Sequence, residues 1–169
     1  MKLFVNILLS FSSLLFFNYA QAQRFEVPKN YSFDSKNDYK KYEDNIISCI
    51  NWLEKNYSNE NNSKVRESTN FLLEWSSGCP YINIPQNLKI DALFNESPEL
   101  RVFYTGGWVK NAVKTKLKSN KTENCVAGLK AVIKMYNDDH SIKRNPKINE
   151  LVKLDEHAGL NDWVEERIR

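Results

Sequence analysis

Apolar residues recur every three or four positions along most of the chain, the spacing that lines one face of an α-helix. Asp34 or Ser35 can cap a first helix that carries Tyr39, Tyr42, Ile46, Ile50 and Leu53 on one face and ends in NYSNENNS. Ser63 is placed to cap a second, with Val65, Leu72, Leu73 and Trp75 as its apolar positions and Gly78, Cys79 and Pro80 as its stop. A short helix is expected within 86–95. Ser97, Pro98 and Glu99 then supply a cap, a first-turn proline and an early carboxylate for the next one. Thr122 or Asn124 starts a further helix with Cys125, Leu129, Val132 and Tyr136 on one stripe. Asn145 and Pro146 start another through Leu151, Val152 and Asp155, stopped by Gly159, and a last short one holds Leu160, Trp163 and Ile168.

Two stretches break this period. QRFEVPKNYSF (23–33) alternates apolar and polar residues around Pro28, and YINIP (81–85) is β-branched, so both read as extended and can pair as a short ladder. The fold class is therefore all-α: an irregular bundle of five to six antiparallel helices preceded by an extended arm, 23–33, with 34–169 as a single domain.

RVFYTGGWVKNAV (101–113) places two adjacent glycines inside a helix, where each costs about 1 kcal/mol relative to alanine. At about 100° per residue, Val102, Gly106, Val109, Val113 and Leu117 share one stripe, with Leu100, Phe103 and Gly107 on its flank and Tyr104 and Trp108 on the other side. A helix apolar nearly all round lies between neighbours, so it is expected to be central. The glycines then mark a close helix crossing, with Gly106 on the core side and Gly128 a candidate for the same contact. Two sharper readings compete. A phosphate-binding turn assisted by Lys110 lacks the spacing of a P-loop and a preceding strand. A shallow groove floored by Gly106 and Gly107 and walled by Tyr104 and Trp108 is the one candidate binding site in the sequence.

Composition adds the compartment. Lys2, the run LFVNILLSFSSLLFF and the A-x-A triplet at 20–22 form a secretory signal peptide, 1–22, and the run is short and serine-containing for a membrane anchor. Removing it leaves 147 of 169 residues, with 23 of the 24 basic residues and all 21 acidic ones, an excess of two. That balance argues against nucleic acid or an anionic membrane as partner, and no other segment is apolar enough to span a bilayer. The basic run KTKLKSNK (114–121) reads as a solvated helix end.

Candidate chemistry is sparse. His140 in NDDH and His157 in LDEH sit among carboxylates, but about twelve residues of helix, roughly 17 Å, separate them, so no metal ligand set and no cofactor is expected. Of three cysteines, Cys49 and Cys125 fall at the edges of apolar faces, whereas Cys79, just past a helix stop, is expected to be the exposed one. Cys125 lies near a helix N-terminus, a position that lowers a thiol's pKa. Carboxylate neighbours such as Glu165 and Glu166, or Asp138 and Asp139, point apart on a helix and form no acid–base pair. No catalytic residue is assigned.

FYTGGWVKNAV, followed by NCVAGLKAVIKMYNDD and preceded by FEVPKNYSFDS near the start, resembles a group of small exported proteins of Bacteroidota that have no assigned function. The resemblance supports export and fold and implies no activity. The sequence therefore reads as an exported helical protein, periplasmic or secreted, that binds an unknown protein or peptide partner. The alternative is an enzyme with a dispersed active site, such as a cell-wall hydrolase.

Overall fold

The computed structural model describes residues 25–57, 62–116 and 119–168. The leader, 1–22, and Leu117 lie outside the described residues. The fold is all-α, with eight α-helices among the described residues: α1 Lys36–Lys41, α2 Glu43–Asn56, α3 Ser63–Gly78, α4 Leu88–Asp91, α5 Leu100–Lys114, α6 Lys121–Asp138, α7 Pro146–Glu156 and α8 Leu160–Ile168. A 3-10 turn, Ala92–Phe94, extends α4. Six of the helices have nine or more residues.

The caps explain the boundaries. Ser35 and Asp38 form a reciprocal capping box, each side chain bonded to the other's backbone. The first helix expected from sequence is broken at Tyr42 (φ −97°, ψ 5°), which separates α1 from α2. Asn62, not Ser63, caps α3, its side chain accepting from Lys64 N at 2.8 Å. Ser97 is no cap either: it is buried, its hydroxyl directed to the Lys143 carbonyl at 3.5 Å, and α5 begins at Leu100. Asn145 does cap α7, as read, with its side chain on Lys147 N at 2.9 Å and Pro146 in the first turn. α7 ends before Gly159: Ala158 takes the left-handed conformation (φ 56°), and Gly159 N–H bonds back to the Leu154 carbonyl at 2.8 Å.

Three hairpins make the bundle. Lys64 lies over the Trp52 ring, Cys49 Sγ donates to the Ser68 carbonyl, and Trp75 Nε1 donates to the Tyr39 carbonyl, so α3 runs back along α2 and α1. Asn111 pairs with Asn124 while Gly107 lies against Gly128 and Ala131, which sets α6 antiparallel to α5. Tyr136 bonds Asn149 while Lys130 pairs with Asp155, which sets α7 antiparallel to α6. The helix α5 is central, as its pattern implied: every residue from Val102 to Val109 is buried. A half-buried ion pair, Lys110 to both Glu54 oxygens at 2.9 Å, ties it to α2.

The expected ladder does not form. Among the described residues there is no strand, and the two extended segments go to different places. In the arm, Phe25, Tyr31 and Phe33 pack their rings on Phe71, with Tyr39 and Tyr42 completing the cluster. Burying rings there removes far more apolar surface than a short ladder would, and that decides where the arm lies. Residues 82–87 belong to no helix or ladder.

Candidate functional site

The four residues of the sequence-derived groove, Tyr104, Gly106, Gly107 and Trp108, are all buried. Tyr104 packs against Phe94 and Trp108, and its hydroxyl donates to Cys125 Sγ at 3.4 Å. A Cβ on Gly107 would come within 2.6 Å of the Ala127 carbonyl oxygen, 2.8 Å of Ala131 Cβ and 2.9 Å of Gly128 Cα. One on Gly128 would meet the Tyr104 ring at 2.7 Å and its carbonyl oxygen at 2.8 Å. Gly107 and Gly128 are thus the point where α5 and α6 cross at backbone contact. The sequence had put Gly106 in that role. A Cβ there would meet only side chains, Ile50 Cγ2 at 3.2 Å and Leu72 Cδ2 at 3.7 Å.

An open cleft of about 840 Å³ lies elsewhere, between the C-terminal half of α3 and residues 82–84, with buried Thr105 of α5 also in its lining. Its formation follows from the stop after α3. Pro80 turns the chain, Tyr81 meets Trp75 edge-on, and Ile82 is buried. Five residues later Asn87 caps α4 through Lys89 N and Ile90 N while donating to the Arg167 carbonyl at 2.9 Å. The segment is therefore anchored at both ends, with Asn83 exposed and Ile84 half-buried between them. Across from it α3 presents Asn70, Leu73, Glu74 and Ser77. Leu73, expected on the apolar face of its helix, is 40% exposed. Glu74 accepts from the Tyr31 hydroxyl at 2.8 Å, and burial first, then that bond, pushes this phenol up to about 12.

Cys79 lines the same cleft but is 8% exposed, so the expectation of an exposed loop thiol is corrected: its loop is packed under α3. Nearby, burial and a hydrogen bond to Glu43 raise the Tyr81 hydroxyl, and burial raises that of Tyr39. Burial also pushes the Cys49 thiol up to about 12. Cys125 is fully buried, and desolvation raises its pKa rather than the helix N-terminus lowering it. No disulfide joins any of the three cysteines.

A second cleft, about 580 Å³, runs between α6 and α8 and is lined by Asn111, Asn120, Thr122, Glu123, Asn161 and Glu165, with Lys130 at one side. Its two carboxylates belong to exposed residues. The histidines are held separately: His140 Nδ1 lies 3.0 Å from Arg144, and His157 Nδ1 lies 2.7 Å from the Lys153 carbonyl. Among the described residues no three His, Cys, Asp or Glu side chains converge to hold a metal ion, and no helix is long and apolar enough to cross a membrane.

No family model, no curated protein and no solved structure matches the chain. The site therefore has to be read from its own lining. Leu73 is one of its two legible signals: it shares a helix row with Arg66, Asn70 and Ser77, so an apolar residue sits alone on a polar face. Thr105, in a helix otherwise apolar at its centre, was the other.

Proposed function

We propose that this chain is an exported, non-catalytic binding protein, its export being what the resemblance to small exported proteins of Bacteroidota implies, and that the cleft between α3 and residues 82–84 receives a protein or peptide partner. One observation carries the reading: an exposed leucine, Leu73, lies in a preformed cleft of ligand-pocket size, among hydrogen-bonding groups from two structural elements. The lining mixes apolar Leu73, Ile82 and Ile84 with amides and hydroxyls, a combination suited to a peptide, which offers both kinds of surface.

Selection of a phage-displayed random peptide library on the purified protein tests this. The reading expects enriched peptides whose binding falls at least about tenfold with Leu73→Glu, a loss of about 1.4 kcal/mol, and is unchanged by Leu88→Glu. Leu88, 88% exposed, lies outside the cleft lining and serves as the control. Enrichment insensitive to Leu73 refutes the site.

The second cleft favours the other reading, a hydrolase, because Glu123 and Glu165 line one amide-rich depression suited to a polyol. Carboxylate pairs that work as acid and base keep one member desolvated, and these two residues are exposed, so the binding reading is preferred. Clearing of a cell-wall suspension by the protein, abolished by Glu165→Gln, would reverse that preference.

A further inference from the structure

We infer that the partner enters the α3 cleft as an extended segment and pairs with the backbone of residues 82–84, a strand addition. The inference rests on the binding reading above and names the partner's backbone form and side-chain chemistry. Residues 82–87 belong to no helix or ladder, Ile84 precedes Pro85, which favours an extended backbone, and Asn87 is extended (φ −143°, ψ 111°); among the described residues no hydrogen bond reaches the backbone of Ile82, Asn83 or Ile84. The segment that the sequence marked as strand-forming thus stands without a ladder partner, because the arm spent its apolar side chains on the Phe71 cluster. Unpaired backbone groups beside a cleft are satisfied by water until another backbone replaces it.

The segment is also stiff in the way a template needs. Ile82 is buried below it and Asn87 is bonded to the Arg167 carbonyl beyond it, so little ordering entropy is lost when a second strand arrives. A strand laid about 4.8 Å away would place alternate side chains against Leu73 and Ile84. Pro85 has no N–H and ends the ladder, so pairing covers three residues and side chains must supply much of the affinity. Among the described residues lining the cleft, Glu74 is the one charged side chain. It selects a cationic residue on the partner and repels an anionic one. The ligand class is therefore an extended peptide with alternating apolar residues and a lysine or arginine.

The test is an N-methyl scan of a peptide enriched in the selection described above, with affinity measured by isothermal titration against the purified protein. Methylating one amide removes one donor, so strand addition expects losses of about tenfold at alternate positions and changes within about twofold at those between. It also expects Glu74→Gln to weaken a lysine-containing peptide about fivefold while leaving its lysine-to-norleucine analogue unchanged. A three- or four-residue periodicity, or uniform tolerance of methylation, overturns strand addition and leaves the binding site standing. Failure to obtain any Leu73-dependent peptide overturns both.

Discussion

Replacing Gly107 with alanine adds a single methyl group at the crossing of α5 and α6, and the structure sets its consequence. That carbon would lie 2.6 Å from the Ala127 carbonyl oxygen, 2.8 Å from Ala131 Cβ and 2.9 Å from Gly128 Cα. Two of these are backbone atoms of α6, which cannot rotate away, so the helices must separate and loosen contacts along their whole length. Overpacking of this kind costs about 1–3 kcal/mol, here near the upper end, offset by about 1 kcal/mol of improved helix propensity. The net expectation is a loss of about 2 kcal/mol. Gly106→Ala is the internal control, because its methyl meets Ile50 Cγ2 at 3.2 Å, a side-chain atom that can give, and the same propensity gain brings the change to zero or slightly favourable. In urea, with a slope of about 2 kcal/mol per molar, Gly107→Ala should lower the unfolding midpoint by about 1 M and Gly106→Ala should leave it in place. The reasoning is refuted if Gly107→Ala unfolds within about 0.3 M of the parent, or if Gly106→Ala is the more damaging of the two.

Ala158 occupies the left-handed region at φ 56°, so Ala158→Gly should stabilise by up to about 1 kcal/mol, seen as a higher urea midpoint. Asn145→Ala removes the α7 cap and leaves the Leu93 carbonyl, now bonded at 3.1 Å, without its donor, so a loss of about 2–4 kcal/mol is expected in the same assay. For the thiols, alkylation of the folded protein should modify Cys79 first, through the cleft, without prior reductant, while Cys49 and Cys125 react only on unfolding. Cys49 also makes stability fall at high pH. Its folded pKa, about 12, exceeds the ordinary 9.0, so above pH 9 the unfolded chain holds fewer protons, and each unit up to 12 costs about 1.4 kcal/mol; Cys49→Ala should flatten that slope.

How far the sequence reached depends on which force decides each feature. Local signals were legible: Asn145 and Pro146 start α7, the stretch 86–95 contains α4 and its 3-10 turn, and the all-round apolar pattern of 102–109 marks the central helix. A one-residue shift from Ser63 to Asn62 shows the limit of cap chemistry when two good caps adjoin. Features set by distant partners were not legible. Which of two adjacent glycines meets a neighbour depends on the azimuth at which α6 crosses, and a helix buried on every side gives no hint of it. Cys79 follows a proper helix stop, yet its loop is packed, because a stop signal describes backbone conformation and not burial. YINIP forms neither a helix nor the expected ladder: β-branched content states a preference for a pleated surface without naming a partner. The cleft was missed for the same reason, since it arises where residues 82–84 pass the polar face of α3, and Leu73 was read among the apolar positions of its helix when its row placed it outside.

The most direct test of the central claim is a proton–nitrogen correlation spectrum of the labelled protein titrated with an enriched peptide. Strand binding in the α3 cleft predicts perturbations concentrated at Leu73, Glu74, Ile82, Asn83, Ile84 and Thr105, with slowed amide exchange within 82–84. Shifts centred instead on Glu123, Ala127 and Glu165 would move the site to the second cleft and contradict the account.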